Sequence, residues 1–154
     1  SALAQYQSGE ADIVMVAEPL LSTLEKNEAS LNVFDLQTAW EDAFGKDAYP
    51  QAGVFIHEDI NPAVVEHYLD ALEESIHQAK ENPSSIASMA ETMDVPFDQE
   101  VLTSAIPRSH LKFVHAQEAK PELEFYFRKI LDLNPALIND TLPDSSFYLA
   151  RHED

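Results

Sequence analysis

Hydrophobic positions change period along this chain. Ile13-Val14-Met15-Val16 is an unbroken apolar run of buried-strand length and β-branched character, and it predicts a strand over 12–17. Leu31, Val33 and Leu36 alternate in part with Asn32 and Asp35 and predict a second strand over 31–36. Ala52 to Ile56 predicts a third. Helices are expected between them: 2–8, closed by Gly9; 19–26, with Pro19 in the first turn and Leu20, Leu21 and Leu24 on one face; and 38–44, around Trp40 and closed by Gly45.

From Asn61 onward the period is helical almost throughout. Asn61 suits an N-cap and Pro62 the first helical position, and Val65, Leu69, Leu72, Ile76 and Ala79 recur at helical spacing to about Glu81. Asn82-Pro83 stops that helix and starts another over 84–93. Further helices are expected over 98–106, halted by Pro107, and over 119–133, with Pro121 in the first turn and Asn134-Pro135 at the end. Residues 111–114 read as a short extended piece, Leu142-Pro143-Asp144 as a turn and Phe147-Tyr148-Leu149 as an apolar anchor. The pattern predicts an α/β, helix-rich chain, poor in strands for a self-contained domain and incomplete on its own. There is no internal repeat and no low-complexity linker.

With 154 residues and an apolar fraction of 45%, the chain is long enough for one domain or parts of two. Its 28 acidic and 9 basic residues give a net charge of −19, which repels phosphate backbones and anionic lipid and argues against nucleic-acid binding. The acids are scattered along the chain. They read as a solvated surface; a high-salt habitat or a basic partner would also account for them. Cysteine is absent, so a disulfide framework, a thiolate metal site and a cysteine nucleophile are excluded. No apolar run is long enough to span a bilayer, and no signal-peptide pattern opens the sequence. Because Ser1 already lies within a helical pattern, the start is expected to be a cut inside a longer polypeptide.

Candidate chemistry is sparse. Glu18 lies between the first expected strand and a helix, at the carboxyl-end position where open α/β sheets bind ligands. It is either a contact to a cationic ligand or a cap of its own helix, and the N–H groups of Leu20 and Leu21 suit an anion. Gln51 and Gly53 flank the entry to the third expected strand, and Gly53 permits close backbone approach. Tyr49 and Trp40 offer stacking surfaces or belong to a core. The six histidines have no chelating spacing: His57-Glu58 lacks the second His of a zinc-protease motif, His67 and His77 are too far apart, and His110 and His115 are out of phase. No nucleophile elbow, phosphate loop or dinucleotide fingerprint occurs, so neither an enzyme nor a cofactor is indicated.

Two segments carry a family resemblance. Ser8-Gly9-Glu10-Ala11-Asp12 running to Glu18-Pro19, and Tyr49-Pro50-Gln51 through Val54-Phe55-Ile56 to Asn61-Pro62, resemble the later half of solute-binding proteins of ABC importers of the nitrate/sulfonate/taurine type. The Glu81-Asn82-Pro83 break and the tail Thr141-Leu142-Pro143-Asp144 with Phe147-Tyr148 are similar to that family as well. The resemblance implies the C-terminal portion of a bilobed type II periplasmic-binding fold. Residues 1–48 would be a remnant of the second lobe and the hinge approach, and 49–154 the return across the hinge and the helical end of the first lobe. It further implies binding of a small solute by Glu18, Tyr49, Gln51 and Gly53, with a hinge over 42–53 that closes on the ligand. Delivery to a membrane permease and a periplasmic or extracytoplasmic location follow from the same likeness. The other reading is a standalone α-rich protein-interaction or dimerisation module, with a homodimer covering surfaces that a shortened half-protein exposes.

Overall fold

The computed structural model describes residues 2–28 and 30–150. Among the described residues seven α-helices form: α1 Ala2–Gln7, α2 Leu20–Asn27, α3 Leu36–Phe44, α4 Pro62–Glu81, α5 Pro83–Thr92, α6 Gln99–Arg108 and α7 Ala116–Leu133. Short 3-10 turns follow at Pro135–Ile138 and Ser145–Phe147. Among the described residues there is no strand, so the expected α/β architecture, and with it the type II periplasmic-binding fold, is corrected to an all-helical one. The cause is specific. A strand needs a partner for its backbone N–H and C=O groups, and residues 12–16, 33–34 and 52–56 share no backbone hydrogen bond with any described residue.

The helix boundaries follow the local chemistry. Gly45, in the left-handed region at φ 62°, closes α3, and its N–H donates to the Glu41 carbonyl at 2.8 Å. Gly9 does the same after α1, at φ 76°. Asn61 Oδ1 accepts from the Ala63 N–H at 2.9 Å and Pro62 takes the first position, which starts α4. Pro83 lacks an N–H, so the chain breaks at Asn82 and restarts as α5. Asp35 and Asp98 cap α3 and α6 by accepting from Gln37 N–H and Val101 N–H, each at 2.9 Å. Two edges differ from expectation. Pro107 lies inside α6, which runs on to Arg108, and α7 begins at Ala116, so Pro121 sits beyond its first turn.

The chain divides into two units, residues 1–32 with 61–113 and residues 33–60 with 114–154. In the first, α6 packs on α2, α4 and α5. Its core is Leu24, Val65, Ala79, Ala87, Val101 and Ala105, half of them alanines, so the helices approach closely and bury little apolar volume. In the second, α7 packs on the 3-10 turn that follows it and carries an aromatic cluster. Trp40 lies 4.4 Å from Phe44, 5.5 Å from Tyr49 and 5.8 Å from Tyr126, ring centre to ring centre. Lys129 Nζ caps the cluster 5.2 Å from both the Phe44 and Phe125 rings. The segment expected to hinge, 42–53, lies wholly within the second unit; the chain passes between units at 32/33, 60/61 and 113/114.

Candidate functional site

Glu18 belongs to the first unit, and its carboxylate is nearly buried, with 9% of the side chain exposed. One oxygen accepts from the Ser22 N–H at 3.0 Å, satisfying an amide of the first turn of α2. The other lies 3.0 Å from Arg108 Nε, an ionic contact without hydrogen-bond alignment. Arg108 also pairs with Glu25, about two helical turns on from Glu18. The Glu25 hydrogen bond, followed by the nearby charges of Glu18 and Glu25, holds the guanidinium pKa above its already high usual value against an opposing effect of burial. One cation on α6 thus answers both Glu18, just before α2, and Glu25 within it. This supports the capping role of Glu18: its oxygens already have partners inside the unit.

The other three candidate residues lie in the second unit. Tyr49 is stacked on Tyr126, with ring centres 6.4 Å apart and 21° between planes, and belongs to the aromatic cluster. Gln51 is exposed. Gly53 is exposed too; a Cβ there meets only the Phe55 ring, at 3.7 Å, an ordinary contact. No single unit therefore gathers Glu18 with Tyr49, Gln51 and Gly53. The second unit has an open hollow of about 500 Å³ lined by Val33, Phe34, Asp35, Thr38, Ala39, Asp42 and Ala43. Among the described residues no group of three His, Asp or Glu side chains is placed to hold a metal ion, and no helix is long and apolar enough to cross a membrane.

Exposed apolar side chains stand out in each unit. Ile13 is 89% exposed, Met15 79%, Phe34 76% and Phe55 80%, and all four lie in the segments whose sequence predicts strands. Large apolar side chains in ladder-free backbone are a double liability in water, since apolar area and the peptide groups both lack a partner. Of these segments only 12–17 is expected from its sequence to be a buried strand, and none of 12–16, 33–34 and 52–56 finds a backbone partner among the described residues.

No protein-family model, no curated protein and no solved structure matches the chain.

Proposed function

We propose that this chain is an α-rich interaction module that binds another polypeptide through its ladder-free apolar segments, without a small-molecule ligand. The observation that carries this reading is the near-complete exposure of Ile13, Met15, Phe34 and Phe55 on backbone that has no hydrogen-bond partner among the described residues. A partner strand would satisfy both deficits at once: main-chain hydrogen bonds supply affinity and alternate side chains supply selectivity. The internal pairing of Glu18 and the packing of Tyr49 in an aromatic cluster weigh in the same direction.

A second reading, capture of a small solute and its delivery to the permease of an ABC importer outside the cytoplasm, is favoured by one observation. The residues that resemble such proteins include Gln51 and Gly53, and both stand exposed and available to a ligand. One experiment separates the two. Hydrogen exchange of the whole chain is measured with a panel of extended apolar peptides, alongside thermal unfolding with sulfonates, nitrate, amines and amino acids. Peptide-dependent protection of residues 13–17, 33–35 or 52–56 supports the interaction module. Failure of every peptide, together with a solute that stabilises the fold by about 2.7 kcal/mol at a hundredfold excess over its Kd, overturns it in favour of solute capture.

A further inference from the structure

We infer that residues 13–16 are the docking edge and that their occupant is an extended apolar peptide with lysine or arginine flanks, an inference that rests on the interaction-module reading. Exposure along this segment alternates: Ile13, Met15 and Ala17 are exposed, whereas Val14 and Val16 are half-buried. That period of two is the signature of an extended chain lying on one face. Residues 12–16 make no backbone hydrogen bond with any described residue, so a full row of donors and acceptors is open to an added strand. Ile13 and Met15 supply an apolar surface for the alternate side chains of that strand.

Charge selects the occupant. Glu10 and Asp12 precede the segment, and the unit that contains it has fourteen acidic residues against four basic ones, Lys26, Lys80, Arg108 and Lys112. Lys26 is held by Asp98 and Glu100, and Arg108 by Glu18 and Glu25, so two of the four cations are already neutralised. A second copy would bring another net charge of −19 to the contact, whereas a basic-flanked peptide is drawn to it.

The test uses the whole chain and a peptide of alternating Val and Thr with two Lys at each end. Its controls are the same core with Glu flanks and the Lys-flanked peptide N-methylated at alternate residues. The Lys-flanked peptide is expected to bind, to protect the amides of 13–16 from exchange and to weaken with added salt. The Glu-flanked control, the N-methylated control and the variant Met15→Pro should each bind about tenfold more weakly or worse. The N-methylated peptide leaves the protein unaltered, so a folding defect in Met15→Pro does not obscure the result. Equal binding of Lys- and Glu-flanked peptides overturns the charge assignment. Protection confined to 33–35 or 52–56 overturns the docking edge while leaving the interaction module standing. Protection of 13–16 that rises with protein concentration alone, with a dimer mass in light scattering, makes a second copy the occupant and overturns the inference. If no peptide binds at all, the inference and the function it rests on fall together.

Discussion

Replacing Arg108 with Met is expected to destabilise the first unit by about 2 kcal/mol, a figure set by where its two partners lie. Breaking a fully buried ion pair costs about 3–5 kcal/mol, because an uncompensated charge is left inside. Exposed pairs contribute only about 0.2–1 kcal/mol. Glu18 stands near the first limit, with 9% of its side chain exposed, but Arg108 and Glu25 are both 38% exposed and screened by water, which pulls the value down. For a chain of this length about 2 kcal/mol corresponds to a fall in Tm of roughly 4–8 °C. Urea unfolding followed by circular dichroism at neutral pH gives the free energy, and a double-mutant cycle with Glu18→Gln isolates the pair. Gln keeps an oxygen for the Ser22 N–H but carries no charge, so Glu18→Gln in the Arg108→Met background should restore part of the loss. A loss under about 0.5 kcal/mol, with no rescue by Glu18→Gln, would refute the assignment of Glu18 as a structural carboxylate neutralised by α6.

Tyr148 is 2% exposed and its hydroxyl has no hydrogen-bond partner among the described residues, so Tyr148→Phe should stabilise the second unit by about 1 kcal/mol, measured by urea unfolding. Burial, followed by the charge of Glu124, raises the Tyr148 pKa, so ultraviolet titration should show its phenol ionising above the ordinary tyrosine range. Because the folded state holds that proton more tightly, the associated stability is fully present below the unfolded tyrosine pKa and is lost as pH rises through the folded one; an alkaline unfolding series checks the sign. Ala105→Leu, at a site 2% exposed on the helix that packs against α2, α4 and α5, should cost about 1–3 kcal/mol by overpacking, seen as a lower urea midpoint. Asn61→Ala removes the α4 cap and should cost about 1 kcal/mol, with faster amide exchange at Ala63.

Local chemistry by itself determined the helices of this protein and most of their ends. Asn61-Pro62, Asn82-Pro83, Gly9 and Gly45 act through dihedral freedom and missing donors, effects that operate within a turn and need no distant partner. The apolar character of 13–16 was also legible, because an unbroken run of largely β-branched residues is a property of the segment itself. Tertiary structure decided what those features became. An apolar run states that a segment wants cover, but a sheet exists only when another backbone completes its hydrogen bonds, and the described residues provide none for 12–16, 33–34 or 52–56. Glu18 read from its place before a helix as either a ligand contact or a cap, and only the approach of α6 placed Arg108 against it. Tyr49 offered a stacking surface or a core residue, and only the fold set Tyr126 against its ring. Ion pairs and ring stacks join residues far apart in sequence, so their partners are chosen by packing, which no local pattern records.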